Sequence, residues 1–345
     1  MVEISLFRFD RKIDLESYYK PYIYEDFEFL TLRELLLDIK RNDPYFKFGK
    51  TEFVKINEKI VNLDENLDEI FKKTGNFINI SALCQTRSTK DLIINNDDFI
   101  KTYDKFSEIL EQNNEKEFFL KLEPLFYSSK IREFKEDFLG NSAFVFANYL
   151  IEKFPYKKDE ILNLIKNEII YYIKPQFLLK DPFKTDDIVK NLAKMLNLNF
   201  SKKENIVSDE EIKNATKKVD FSKFNITVYS DKNLQNLVKV VANLVNFELE
   251  NENIGYDILK FDKKVALNLA SEILFNAYDS GADFLLVNDK RAFYMFDTLS
   301  KELQKVQNRS LNNFYILMAD EFLSLLKGEK IEFKNHKLEV KILWN

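Results

Sequence analysis

The side chains able to do covalent or redox chemistry are few. One cysteine, Cys84, and one histidine, His336, stand in a chain of 345 residues. A zinc site of Cys/His type, or an iron–sulfur cluster held by protein, needs about four soft ligands, so this chain alone cannot supply either. A single thiol closes no disulfide within the chain. Cys84 follows Ile80, Ser81, Ala82 and Leu83 and has no immediately flanking cation to favour the thiolate, so it reads as a packed, inert thiol. His336, between Asn335 and Lys337, reads as part of an exposed turn. The six glycines, Gly49, Gly75, Gly140, Gly255, Gly281 and Gly328, match neither the dinucleotide fingerprint nor the phosphate-binding loop in spacing.

Three weaker constellations dissolve on inspection. The run from Asp64 to Glu69 begins like a calcium loop, but its sixth position is Glu69 where glycine is needed and its twelfth is Gly75 where a bidentate glutamate is needed. It reads as a solvated helix start. Thr86, Arg87, Ser88, Thr89 and Lys90 could hold an anion through a guanidinium, hydroxyls and amides, yet the same residues serve equally as a connection. Asp209, Glu210 and Glu211 after Ser208 form an N-cap with an acidic first turn, which the helix dipole favours. No catalytic or metal-binding set is expected.

Composition narrows the function classes further. Lys+Arg 52 against Asp+Glu 57 gives a net charge of -5, without the basic excess that would draw the chain to nucleic acid or an anionic membrane. No run approaches the length of a membrane-spanning helix and the first ten residues are charged and strand-like, so a soluble, cytoplasmic protein is expected. The 33 phenylalanines are spread evenly, which fits biased base composition better than stacking platforms.

The elements that would position any site follow from periodicity. Residues 4–10 alternate as a strand, and a second strand is expected over 22–28. Thr31, with Glu34 three residues on, forms a capping box ahead of a helix over 32–40. Strand-like segments follow at 46–48, 52–56 and 59–61, with Asn57 and Glu58 as a turn. From 98 to 200 the apolar spacing is helical. Residues 201–223, rich in charge, read as a linker or exposed helix. Beyond them strands over 225–229, 284–287 and 314–318 alternate with helices over 234–247, 265–277, 298–307 and 320–326, implying a parallel α/β layer; 338–343 could add a strand.

Particular residues carry a family likeness. Phe7, Arg8, Phe9 and Asp10, then Tyr24, Leu32 through Lys40, Asp43 and Phe46 to Phe48, run in the order seen in iron–sulfur subunits of succinate dehydrogenase and fumarate reductase. Thr89 to Asn95 followed by Phe99 and Tyr103, then Phe138 to Ala143, then Asp181 and Pro182 on to Leu196, resemble that family's passage into and through its helical domain. Gly281 to Val287 and on to Asp297 is similar to a segment of cysteine-rich (CCG) domains of heterodisulfide-reductase type. The whole chain thus resembles such an iron–sulfur subunit fused to a CCG domain, as in thiol:fumarate reductase subunits. The resemblance implies a β-grasp ferredoxin-like domain over 1–97, an α-helical domain over 98–200, a linker over 201–223 and an α/β CCG-like domain over 224–345, an α+β and α/β multi-domain fold.

The likeness fails where the family does its chemistry. The first cysteine loop is shortened to Gly49, Lys50, Thr51 and Glu52, and Asp64 falls near its last ligand. The cysteines implied around 118–131, Ile169, Pro175 and Leu179 are missing; Asp289 and Ala292 stand at a CxxC pair, and Asn251, Glu252 and Asn253 where paired cysteines would be. Proline, leucine and alanine cannot ligate iron. The reading is a non-catalytic structural or partner-binding protein without clusters or other cofactor. Candidates for its contact surface are 118–127 and Tyr171–Tyr172, although each of these residues taken alone reads first as core packing. The competing readings are a small-molecule enzyme or sensor using the vacated CCG pocket, and a cluster-less accessory or assembly subunit of a respiratory complex.

Overall fold

A computed structural model describes residues 1–49, 52–111, 114–174 and 180–338. The chain divides into two compact units, Met1–Leu198 and Asn199–Asn345.

In the first unit β1 (Val2–Arg8) turns Val2, Ile4 and Leu6 inward and pairs antiparallel with β2 (Tyr18–Tyr24), Val2 opposite Tyr24 and Arg8 opposite Tyr18. Helix α1 (Leu32–Asn42) starts in the capping box: the Thr31 hydroxyl accepts from the Glu34 N–H while the Glu34 carboxylate accepts from the Thr31 N–H. Its buried Leu32, Leu35, Leu36 and Ile39 recur at helical spacing and face the sheet core. Strands β3 (Phe53–Ile56) and β4 (Lys59–Asn62) form a hairpin whose turn residues Asn57 and Glu58 both take positive φ, 45° and 63°, as a tight primed turn requires. Helix α2 (Leu67–Thr74), capped by Asn66, leads to β5 (Phe77–Ser81), which runs parallel to β1. The order β2-β1-β5-β3-β4 is that of a β-grasp sheet. A short hairpin, β6 (Ser88–Lys90) and β7 (Ile93–Ile94), closes this part.

Two strand expectations here need correction. The second strand begins at Tyr18 and ends at Tyr24; beyond it Tyr24, Phe27, Phe29 and Phe71 meet edge to face, so the aromatic pattern builds a cluster and not a ladder. Residues 46–48 form no strand: Phe46 and Phe48 stack in the core at 5.7 Å while the Lys47 N–H donates to Asp91.

Among the described residues seven α-helices follow in the same unit: α3 (Asp97–Asp104), α4 (Asn114–Leu120), α5 (Glu123–Phe126), α6 (Ile131–Phe134), α7 (Gly140–Lys153), α8 (Lys158–Ile165) and α9 (Thr185–Met195). Helix α7 is the hub, with Ala143, Phe144, Phe146, Ala147 and Leu150 buried. Phe99 stacks on Phe119 at 4.4 Å, and Phe119 meets Phe146 at 5.0 Å. Gly140 opens α7 at φ +79°, where a Cβ would lie 2.6 Å from the Phe126 ring, so no other residue fits.

The second unit opens with α10 (Asp209–Lys213), held by a Ser208–Glu211 capping box, then β8 (Phe221–Tyr229), α11 (Lys232–Val241), β9 (Ala242–Leu244), α12 (Lys263–Asp279), β10 (Phe284–Val287), α13 (Lys290–Phe293), a π-helical turn over Tyr294–Thr298, α14 (Ser300–Gln307), β11 (Tyr315–Met318) and α15 (Ala319–Lys327). The four strands are parallel in the order β11-β10-β8-β9. The helix expected over 234–247 stops at Val241 because Ala242 turns fully extended and its segment joins the sheet. Residues 201–223 are not a free linker: Val207, Ile212 and Phe221 are buried in this unit's core, so a few well-placed apolar side chains anchor an otherwise polar stretch. The strand expected over 338–343 falls, beyond Leu338, outside the described residues. No described helix is long and apolar enough to cross a membrane.

Candidate functional site

In an open parallel sheet, ligands bind beyond the carboxyl ends of the strands where the strand order reverses. That point lies here between β8 and β10, since β9 extends the sheet one way and β11 the other. Leaving β8, Ser230 takes φ 51° and delivers Asp231, which caps α11 by accepting from the Leu234 N–H. Leaving β10, the chain delivers Asn288 and then Asp289, which caps α13 through the Arg291 N–H. All three side chains are buried.

Residues 201–207 of the same chain run into this crevice. The Asn288 Oδ1 accepts from the N–H groups of Ile206 (3.1 Å) and Val207 (2.9 Å), and its amide donates to the Val207 carbonyl (3.2 Å) and to Asp231 (2.9 Å). Lys203 donates to Asp231 and to the Ser230 carbonyl, each at 3.1 Å. The Glu204 N–H reaches Asp289 (3.3 Å), while the Lys290 N–H donates to the Glu204 carbonyl (3.1 Å). Arg291 pairs with Asp289 (2.7 Å) and donates to the Ser201 carbonyl (2.6 Å). Burial pushes against ionisation of Asp231, but the Leu234 N–H, Asn288 and Lys203 outweigh it and hold the carboxyl below its ordinary range. Arg291 is likewise opposed by burial and held charged by Asp289. Chemically, the crevice holds backbone N–H and carbonyl groups, and the backbone it holds is its own.

The residues singled out in sequence are distributed as follows. Asp289 has its oxygens committed to Arg291 and Glu204, and Ala292 is buried without a donor atom. The Glu252 carbonyl accepts from the Tyr229 hydroxyl at 2.5 Å, and burial pushes that phenol up, so it stays neutral. Gly255, at φ +72°, packs against Ala266. In the first unit Gly49 lies against Ile93, the Glu52 carbonyl accepts from the Leu63 N–H, and Asp64 forms a two-pronged pair with Arg33 at 2.6 and 2.9 Å. Lys50, Thr51, Pro175 and Leu179 lie outside the described residues. Cys84 Sγ sits 3.3 Å from the Thr86 hydroxyl oxygen. Among the described residues no three His, Cys, Asp or Glu side chains converge as a metal site. The donor set at these positions does not fit an iron–sulfur cluster.

The segment 86–90, preferred as a connection over an anion site, is engaged internally: Arg87 pairs with Asp98, Ser88 donates to the Asp91 carbonyl, Thr89 to that of Ile93, and Lys90 to Asp10. The aromatic run offered as a partner surface is core: Phe119, Leu122, Leu125, Phe126 and Tyr127 are buried, and the Tyr172 ring meets Phe144. Phe118 stacks half-buried on Tyr149 at 4.3 Å and Leu120 is exposed, so only the margin of this stretch reaches the surface.

Two ionic clusters escaped the sequence reading. His336 is not in an exposed turn. Its side chain is 1% exposed, with Nδ1 3.2 Å from Asp297 in the π-helical turn and Nε2 2.9 Å from Glu321 on α15. Phe293 and Phe333 meet the ring edge-on. Burial alone would push the imidazole down, but hydrogen bonds and charge from both carboxylates raise it to about 9. With both nitrogens engaged, no ring atom is left to act as a base, and the imidazolium ties 333–338 to the helices beneath. In the first unit Arg8 bridges Asp43 (2.5 Å) and Asp91 (2.9 Å), and Asp43 also accepts from Lys20 (2.7 Å) and Tyr22 (3.0 Å). Burial opposes the Asp43 charge, yet these donors hold it far below the usual carboxylate range. Neither cluster has a local signature, because its members lie far apart in sequence.

Comparison with known proteins adds the following. Residues 256–337 match the HdrB-like C-terminal domain, a stretch that includes the last two parallel strands and is less than half of the chain. No curated protein matches. A structure described as the crystal structure of a hypothetical protein from Helicobacter pylori is similar over 99% of this chain and 98% of that one, with a TM-score of 0.76 at 15% identity, so the fold is shared. A chain of the Mycobacterium smegmatis Sdh1 complex in the apo form aligns over 56% of this chain and 96% of that one with a TM-score of 0.35 at 10% identity, too low to establish a common fold.

Proposed function

We propose that this chain is a non-catalytic, partner-binding protein with the architecture of an iron–sulfur oxidoreductase subunit and without clusters of its own. One observation carries the reading: the crevice where an open parallel sheet takes its ligand is occupied by residues 201–207 of the same chain, with the Ile206 and Val207 N–H groups and the Val207 carbonyl met by the Asn288 side chain and the Glu204 carbonyl by the Lys290 N–H. The HdrB-like match over 256–337 supports descent of this unit from a CCG domain, and the committed oxygens of Asp289 and the inert side chain of Ala292 support loss of the cluster. The proposal includes a domain division at about 97 and 200, a CCG-like unit from about 224, a cytoplasmic location, and a protein as partner.

The competing small-molecule reading needs polar groups such as Asp289, Lys290, Arg291 and Glu252 aimed into open space; Asp289 and Arg291 are engaged instead by the chain's own backbone, at the Glu204 N–H and the Ser201 carbonyl. Tagged full-length protein purified from its native cells is expected to bring down one stoichiometric protein partner. A free monomer that binds or turns over a metabolite, with Asp289 and Arg291 protected by it, would overturn the reading. Anaerobic reconstitution with iron and sulfide should leave no stoichiometric iron and no visible cluster absorption, because one thiol cannot replace about four ligands.

A further inference from the structure

We infer that Lys203 and Asn288 join in an isopeptide bond, which the chain forms on itself with Asp231 as the catalytic carboxylate and which fastens residues 201–207 into the crevice. The inference goes beyond the partner-binding reading and does not depend on it. The reaction is a single event within one chain and leaves no turnover site behind.

The groups that such a reaction needs meet at one place. Lys203 supplies the amine, its Nζ 3.1 Å from Asp231 Oδ2 and 3.1 Å from the Ser230 carbonyl oxygen. Asn288 supplies the carboxamide, its Nδ2 donating at 2.9 Å to the same Asp231 Oδ2. Nucleophile and leaving group thus converge on one carboxylate atom. The oxygen on which charge would develop is also served: Asn288 Oδ1 accepts from the N–H groups of Ile206 (3.1 Å) and Val207 (2.9 Å), a pair of fixed donors in the manner of an oxyanion hole. Asn288 and Asp231 are 1% and 6% exposed, so bulk water has little access to compete with the amine. The other duties of these residues do not require the arrangement. Asp231 caps α11 through its second oxygen, Oδ1, and Asn288 could anchor Val207 without sharing Oδ2 with a lysine.

The step balances without any further reactant. Against its burial, the Leu234 N–H, Asn288 and Lys203 keep Asp231 ionised at rest, so it can accept a proton from one nitrogen and return it to the other. As Asp231 Oδ2 takes a proton from the Lys203 ammonium, the freed lone pair of Nζ attacks Asn288 Cγ and the carbonyl electrons move onto Oδ1 beneath the two N–H groups. The Nζ–Cγ bond forms. Collapse restores the carbonyl and breaks the Cγ–Nδ2 bond, while Asp231 hands its proton to Nδ2. The second proton lost by Nζ follows to the departing nitrogen, which leaves as ammonium, and Asp231 is a carboxylate again. The amine has to leave the carboxylate for the carbon, and a lysine side chain that is 36% exposed has the freedom to do so.

The test is the intact mass of the folded full-length protein, followed by sequencing of its proteolytic peptides by mass spectrometry. The expected mass lies about 17 Da below that of the sequence, the mass of the ammonia lost, with one branched peptide joining the residues around Lys203 to those around Asn288. Lys203→Arg keeps a cation for Asp231 but offers no amine to form this bond, and it should show the full mass. Asp231→Asn keeps a cap for α11 but no proton acceptor, and it should be recovered predominantly without the crosslink. Circular dichroism confirms that each variant is folded. A folded wild type of full mass, a loss that persists in Lys203→Arg, a branched peptide joining other residues, or crosslinking undiminished in Asp231→Asn would each overturn the inference.

Discussion

The end of the parallel sheet in the second unit and the loop beside β1 in the first are both places where a ligand could be held, and they are finished in opposite ways. At Asn288, Asp231 and Asp289 the side-chain donors and acceptors are met within the chain, by residues 203–207, by Leu234 and Arg291, and by one another. At the loop, the ionic floor is equally satisfied, but Ile13, Leu15, Tyr18 and Tyr45 are left in water. A polar crevice closed from within is scaffold. Apolar side chains left in water gain nothing from packing within the chain.

Four variants probe that contrast. The largest effect should come from Arg8→Met, which strands Asp43 and Asp91 in the interior. Breaking a buried pair on one side costs about 3–5 kcal/mol, and the unfolding midpoint should drop by roughly 10 °C. Asp43, held low when folded, contributes stability that is present above its ordinary carboxylate range and is lost as pH falls through and below it. The wild type should therefore lose stability on acidification more steeply than the variant. A midpoint shift under about 2 °C would show that the ionic floor is ornamental.

His336→Ala comes next, at roughly 2–3 kcal/mol, since Asp297 and Glu321 lose their shared cation. The imidazole, raised to about 9 in the folded protein, contributes fully below its ordinary value of 6.5 and loses that contribution as pH rises through 9. Urea midpoints measured from neutral to alkaline pH should fall for the wild type and stay level for the variant. Parallel curves would remove the clamp from the account.

Asn288→Ala leaves the Ile206 and Val207 N–H groups and the Asp231 carboxylate without their partner, at about 1–3 kcal/mol. Hydrogen exchange at those two amides should quicken by about tenfold or more. Unchanged exchange would mean the segment is held by something other than the crevice. Ile13→Glu should be the mildest, shifting stability by no more than about 0.5 kcal/mol because the side chain is exposed. A large loss of stability would reveal a packing role.

Local rules made much of the fold legible. The Thr31–Glu34 capping box, the primed turn at Asn57 and Glu58, the run Phe284 to Val287 and the alternation of strands and helices after it all depend on neighbours in sequence. The segment 281–297 carried the likeness to the CCG domain, within the stretch that the HdrB-like domain matches. What stayed hidden is non-local. His336 meets its carboxylates across 39 and 15 residues, and no pattern around Asn335 and Lys337 announces them. Residues 201–223 look unstructured by composition, yet Val207, Ile212 and Phe221 suffice to seat them. Phe119, Phe126 and Tyr127, each of which reads singly as core packing, are buried together, so the candidate surface they would form is mostly interior.

The central claim is that the chain works through a protein partner. Its most direct measurement is the native mass of the tagged 41.1 kDa chain in extract from its own cells, with the co-migrating proteins identified after in-cell crosslinking. The account predicts a complex well above the monomer and of fixed composition. A monomer of unchanged mass, with a metabolite bound where residues 201–207 meet Asn288 and Asp289, would contradict it.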